Sequence, residues 1–297
     1  MNAVVVQHPN STSFRALPRI ATEVRRLQAD ALWITLNEDG ATGLQNFTPD
    51  LVREFHGLVD DLQFGRFGVA PLHYAVVQSA HPEYFSMGGD LRFFRDCIQR
   101  RDAVRLRDYS LRCLDLLLSW NGKLKDTSTS IALVQGRALG GGFEMALSTD
   151  YLIAEEHSSF GFPEIMFGLF PCTGAMGLLS ARIGARQAER MMTNKKIYSA
   201  VELYDMGLVD EICASGEGEL AVERFVANHS SLLKARLKVQ QSRHRHAPLD
   251  QAEGVRIVED WVETAMRLSA EELRTMDMLI MMQAREAAPP ARPAAVA

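Results

Sequence analysis

Twice along this chain an apolar, strand-like run is followed by clustered glycines that open a helix. Residues 73–78 (HYAVVQ) pass through a loop at 79–86 to Met87-Gly88-Gly89-Asp90, and a long helix is expected from Leu91. Residues 131–135 (IALVQ) pass through a glycine-rich loop at 136–142 (GRALGGG) to a helix start at 143–147 (FEMAL). Repetition of strand, glycine turn and helix marks an α/β layered fold. The chain is 297 residues long and 47% hydrophobic, enough for one large domain or two ordinary ones with a substantial core.

Other elements fit this plan. Residues 31–36 (ALWITL) read as a strand, followed by the turn signal Asn37-Glu38-Asp39-Gly40. Thr48 is placed to cap a helix from Pro49, with Leu51, Phe55, Leu58, Val59 and Leu62 on one face. A strand at 151–154 is followed by a turn at 158–163 and helix after Glu164, whereas residues 1–30 show no strong periodicity. From Glu217 onward the chain turns helical: 253–267 and 271–282 carry Val255, Val258, Val262, Leu273, Met276 and Ile280 at helical spacing. The expected division is an α/β core with an N-terminal extension at 1–216, a helical subdomain at 217–285 and a flexible tail at 286–297.

Composition narrows the function. The 32 Lys and Arg against 37 Asp and Glu leave a net charge of −5, less basic than a dedicated nucleic-acid binder. Cys97, Cys113, Cys172 and Cys213 form no metal knuckle and read as small buried hydrophobes in a reducing compartment; no H-E-x-x-H occurs, so no metal is expected. His244 and His246 lie in a basic run that reads as solvated surface. The N-terminal Ala3-Val4-Val5-Val6 is too short for a signal peptide, and no stretch approaches the ~18 apolar residues of a membrane span. A cytoplasmic protein is expected.

Two features carry chemistry. Glycine lets a ligand approach backbone N–H groups closely, and a helix N-terminus leaves such groups unpaired. Two such turns can aim two N–H groups at one oxygen, an oxyanion hole built without side chains; two ordinary tight turns are the alternative. GRALGGGFE lacks the Lys-Ser/Thr of a phosphate-binding P-loop. The second feature is the pair Glu144 and Glu164. On one helix they would stand ~30 Å apart, but the intervening strand and turn allow the chain to return. Leu139, Phe143 and Met145 flank the first, and Phe162, Ile165, Met166 and Phe167 the second. Apolar surroundings raise a carboxyl pKa toward neutrality, where it serves proton transfer. The alternative is that both acids only favour helix starts.

These residues resemble the crotonase (enoyl-CoA hydratase/isomerase) superfamily. The resemblance runs through Met87-Gly88-Gly89-Asp90, Gly136 to Glu144, Pro163-Glu164-Ile165, Leu169-Phe170-Pro171, and Tyr198-Ser199-Ala200 through Met206-Gly207-Leu208-Val209-Asp210. It implies the ClpP/crotonase-like fold of repeated ββα units with a C-terminal helical subdomain, assembled as trimers or paired trimers. It also implies an oxyanion hole from the Gly89 and Gly141 N–H groups and an acid/base pair of Glu144 and Glu164. Retention of both acids points to adding or removing water.

Over nearly the whole chain the sequence is similar to one branch, the RpfF-type synthases of diffusible signal factor. The segments are YFSMGGDLRFF, SIALVQGRALGGGFEMALS and YLIAEE, with Trp261 to Met266 and Leu273 to Asp277. Cys172-Thr173 departs from the branch's usual Gly-Met-Gly. The branch implies a dehydratase and thioesterase that converts a 3-hydroxyacyl thioester of acyl carrier protein to a cis-2-unsaturated free fatty acid, a quorum-sensing signal. Glu164 would be the base at Cα and Glu144 the acid for the hydroxyl, or the reverse. Leu139, Gly140, Trp261 and Leu279 match positions lining the acyl pocket; helix packing is the other reading of Trp261 and Leu279. No cofactor beyond the substrate's own phosphopantetheine or CoA is implied. A hydratase or isomerase acting on CoA or carrier-bound thioesters in another pathway is the alternative, and a signalling-protein partner is compatible with either. Two basic stretches, with seven Arg at 91–112 and five Lys/Arg at 234–245, suit an acidic carrier or a CoA phosphate, or form solvated helix faces.

Overall fold

The computed structural model describes residues 11–40, 42–67, 72–124 and 126–286. The run Ala3–Val6 and the tail expected from 286 lie outside them, apart from Glu286. Eleven strands among the described residues form two sheets. The larger orders β1 (Ser11–Ala16), β2 (Ile20–Arg26), β3 (Asp30–Leu36), β4 (Tyr74–Ser79), β6 (Thr129–Val134), β8 (Tyr151–Glu155) and β11 (Glu211–Cys213) side by side. The first three pair antiparallel and the rest parallel. Each residue of the central strand β6 is buried, as a parallel strand covered on both faces must be.

The smaller sheet positions the site. It orders β10 (Tyr198–Ser199), β9 (Ser159–Gly161), β7 (Arg137–Leu139) and β5 (Tyr84–Ser86), with β5, β7 and β9 parallel. Each central strand of the large sheet is thus followed by a short strand in the small one. The register Ser86↔Ala138 carries both glycine turns off the same end of the small sheet, side by side. The pairing Leu139↔Gly161 brings the segment before Glu164 to that end. Parallel strands commonly present ligand sites at their carboxyl ends.

Helices cover both faces. The helix α1 (Pro49–Gln63) starts as the sequence predicts: the Thr48 hydroxyl accepts the Leu51 N–H at 3.2 Å, and Leu51, Phe55, Leu58 and Val59 are buried. The long helix expected from Leu91 is broken. Its first part, α2 (Leu91–Gln99), ends where Arg101 adopts φ +55°, and α3 (Ala103–Leu124) restarts beyond Asp102. A short α4 (Gly141–Leu147) follows the triple glycine. A five-residue 3-10 turn at Pro163–Phe167, closed by left-handed Gly168, stands where the sequence suggested a helix. Then come α5 (Ala175–Ile183), α6 (Ala185–Thr193), α7 (Ala200–Asp205), α8 (Gly218–Ser230), α9 (Leu233–His246), α10 (Gln251–Ala265) and α11 (Ala270–Glu286). The main core lies between the sheets and α1 to α5, α10 and α11. A second core lies on the other face of the large sheet, where Ala221, Val222, Phe225 and Val226 of α8 meet Trp33, Tyr74, Val76 and Ile131.

Two further expectations are corrected. Residues 11–26, without clear periodicity, form two strands. Charged residues interrupt the apolar pattern because they are paired internally: buried Arg25 bonds Glu23, stacks 3.8 Å over Trp33 and reaches Glu219 at 2.8 Å. His244 is not solvated surface; its Nε2 lies 2.8 Å from the buried Asp150 carboxylate, which Arg243 also contacts. The arginines at 91–112 are extensively paired: Arg95 with Asp277, Arg100 and Arg105 with Asp96, Arg107 with Glu259 and Arg112 with Asp108. No helix of the described residues is long and apolar enough to cross a membrane.

Candidate active site

Two backbone amides meet where β5 and β7 end. The Gly88 carbonyl accepts the Phe47 N–H at 2.8 Å. In a trans peptide the C=O and N–H point in opposite directions, so this bond turns the Gly89 N–H away from Phe47. Likewise the Gly140 carbonyl accepts from Phe143 and Glu144 at 2.9 and 3.0 Å, leaving the Gly141 N–H as the first, unpaired donor of α4. The two turns approach closely: a Cβ on Gly88 (φ +94°) would fall 3.3 Å from the Gly141 nitrogen, and one on Gly141 3.7 Å from the Gly89 nitrogen. No hydrogen bond among the described residues is donated by either N–H.

Both glutamates face this point. Glu144, on the first turn of α4, is 2% exposed. Its Oε1 accepts the N–H groups of Thr173 and Ala175 at 2.8 and 3.0 Å, and its Oε2 accepts the Thr173 hydroxyl at 2.5 Å. Burial raises its pKa while these three donors oppose the rise. Glu164 opens the 3-10 turn; the residue is half-buried, but its carboxyl end is enclosed and Oε2 lacks a partner among the described residues. Burial, reinforced by the negative charge of Glu144, pushes its pKa up to about 8. The Cys172 thiol, beside both acids, is held far above its ordinary value by burial and then by Glu144.

An inner chamber collects Gly89, Gly141, Glu144, Glu164 and Trp261, completing five of the eight predicted positions. Its apolar walls come from Phe47, from Tyr109, Cys113, Leu116 and Leu117 of α3, and from Phe170. An outer groove holds Leu139 and Leu279 with Tyr84, Leu91, Arg137 and Met282. Gly89, Phe94, Glu164 and Trp261 line both cavities, with Phe94 and Trp261 edge to face at 5.1 Å. Gly140 stands behind the acid instead: it holds φ +51°, and a Cβ there would collide with Glu164 Oε1. Sequence patterning does not single out Thr173 as the clamp on Glu144, nor the α3 residues as chamber wall. The only signal for the latter is their shared helix face, which core packing equally explains. Among the described residues no His, Cys, Asp and Glu group is placed to hold a metal ion.

Comparison with known proteins gives this constellation its context. The family described as enoyl-CoA hydratase/isomerase matches residues 64–252. A probable enoyl-CoA hydratase of Rhizobium meliloti (strain 1021) is 32% identical over 226 residues, 75% of this chain and 81% of its own. An ethylmalonyl-CoA decarboxylase of Danio rerio is 27% identical over 80% of this chain and 77% of its own. The crystal structure of an enoyl-CoA hydratase from Bacillus halodurans superposes with a TM-score of 0.69 at 23% identity, covering 88% of this chain and 99% of that one. The architecture is therefore the α/β crotonase fold with a helical C-terminal region. With its family match spanning more than half the sequence, the chain belongs to the enoyl-CoA hydratase/isomerase family.

Proposed function

We propose that this protein is a hydro-lyase that adds water to a 2-enoyl thioester of CoA, and removes it in reverse. The observation that carries this reading is the unequal pair of carboxyls around one pair of amides. Glu164, with its pKa near 8, holds a proton at neutral pH. Glu144 accepts three hydrogen bonds, which favour its charged form. These are the resting states that hydration requires. The thioester oxygen accepts the Gly89 and Gly141 N–H groups. Glu144 takes a proton from water as the oxygen adds to C3, and the resulting enolate is held by the two amides. Glu164 then delivers its proton to C2. Dehydration runs the same steps backward from the opposite protonation states.

The two cavities suit the two ends of such a substrate. The inner chamber, walled by Phe47, Leu116, Leu117 and Phe170, takes the acyl chain. The outer groove takes the pantetheine arm past Leu139, with Arg137 and Tyr84 at its edge.

A second reading is a synthase of diffusible signal factor: dehydration of a 3-hydroxyacyl carrier protein, then hydrolysis to the free acid. The enclosed Glu164 Oε2, without a partner among the described residues, favours it, since once the proton taken from Cα is released to solvent the carboxylate there can hold a second water beside the carbonyl. One experiment separates the two. Purified protein is mixed with a graded series of 2-enoyl-CoA thioesters and, separately, with 3-hydroxyacyl carrier protein, and products are identified by mass spectrometry. The expected product is 3-hydroxyacyl-CoA, with Glu144→Gln and Glu164→Gln each slower by about 10²–10⁴-fold. Free unsaturated acid from the carrier-bound substrate establishes the second reading. Full activity in either variant overturns both.

A further inference from the structure

We propose that Tyr109, on α3, is a positioning residue that sets the direction of the Gly89 amide; the inference rests on the oxyanion-hole reading above. The segment 87–90 belongs to neither a strand nor a helix, so no regular ladder fixes the peptide that must donate. It leans instead on residues 45–47, themselves irregular apart from an isolated bridge between Phe47 and Gly89. Met87 donates to the Gln45 carbonyl at 2.7 Å, and Phe47 donates to the Gly88 carbonyl at 2.8 Å. Whatever holds Phe47 therefore aims Gly89.

Tyr109 holds it. The buried phenol donates to the Phe47 carbonyl, and the backbone N–H of Asp90 faces the same phenol oxygen. The hydroxyl thus anchors Phe47, the residue bridged to Gly89, and lies beside the N–H of the residue that follows it. The ring is wedged against Phe93 and Phe94, at centroid distances of 4.9 and 5.5 Å, which leaves the oxygen little freedom. Gly89 cannot acquire a side chain of its own to do this, because a Cβ would meet the Phe94 ring at 2.5 Å. Burial keeps the phenol protonated, so it remains a donor throughout the working pH range.

Tyr109→Phe keeps the ring and removes the oxygen. If Tyr109 aims the amide, kcat for enoyl-CoA hydration falls about 10- to 100-fold while KM changes less than about threefold, the pattern of a group felt mainly in the transition state. The spectroscopic counterpart is the carbonyl stretch of the bound enoyl thioester. Its shift to lower frequency on binding the parent protein reports donation by the amides, and Tyr109→Phe should lose much of that shift at saturating ligand. Tyr109→Leu, which also sacrifices the ring packing, should lose no less. A parent-like kcat and an unchanged carbonyl shift in Tyr109→Phe would overturn the role of Tyr109 alone. Absence of any shift in the parent protein would overturn the oxyanion-hole reading and this inference with it.

Discussion

Glu144 and Glu164 enter one chamber on different kinds of backbone. The first rides on a regular helix whose start is fixed by the triple glycine, and three donors around Thr173 hold both its oxygens. The second rides on a single 3-10 turn between β9 and Gly168, backed by the bare Cα of Gly140, with Oε2 lacking a partner among the described residues. Burial is the main cause that raises both pKa values; the charge of Glu144 adds to the rise at Glu164, whereas three donors oppose it at Glu144. The difference teaches how one fold divides labour between identical side chains. On the hydration reading, the donors around Glu144 make it the standing base, and burial beside that charge makes Glu164 the standing acid.

The sharpest way to break this contrast is to disturb the backing of Glu164 while leaving Glu144 alone. Gly140→Ala puts a methyl where Glu164 Oε1 lies and forces an L residue into φ +51°, ψ −125°. The displaced acid should lower kcat for hydration by about 10²-fold, the scale of a misplaced catalytic group. Stopped-flow single turnover separates this loss from substrate binding. A variant with parental kcat would mean that Glu164 does not need its present position.

The converse experiment loosens Glu144. Thr173→Val removes the hydroxyl donor but keeps the backbone N–H groups of Thr173 and Ala175. Losing a donor raises the carboxyl pKa, so the acidic limb of the kcat/KM profile should move to higher pH. The loss near neutrality should be about tenfold, as for one hydrogen bond to a charged group. An unmoved acidic limb would show that the two remaining donors suffice.

How far the contrast is legible in the sequence depends on which interactions set it. The glycine turns and both acids are legible because each sits in its own short local run, Met87 to Asp90, Gly136 to Glu144 and Pro163 to Ile165. The strands β3, β4, β6 and β8 are legible because each carries an unbroken apolar run of four residues. The short strands β5, β7 and β9 are not: three residues cannot show a period, and they hide inside a loop, a glycine run and a turn. Yet these strands set the register that brings the turns together. Thr173 is equally hidden, since its bond to Glu144 spans 29 positions and no local pattern records it. The same holds for the chamber wall on α3, where Tyr109, Cys113, Leu116 and Leu117 carry only the spacing of any buried helix face.

The smallest expected effect tests the contrast without any substrate. Glu164 has a pKa of about 8 in the folded chain against an ordinary 4.5, so the folded state binds its proton more tightly than the unfolded state does. The stability this contributes is fully present below pH 4.5 and is lost as pH rises through about 8. Glu164→Gln carries no titrating group and escapes that loss. Relative to the parent, its Tm should therefore rise by a few degrees between about pH 5 and about pH 8.5, read by thermal unfolding at matched ionic strength. Glu144→Gln leaves three former donors facing a group that can satisfy only part of them, so its Tm should fall below the parent's across the range. A Glu164→Gln difference that stays flat with pH would mean Glu164 is already ionised in the folded protein at neutrality. The two carboxyls would then be alike at rest, and the division between standing base and standing acid would fail even if both remained essential.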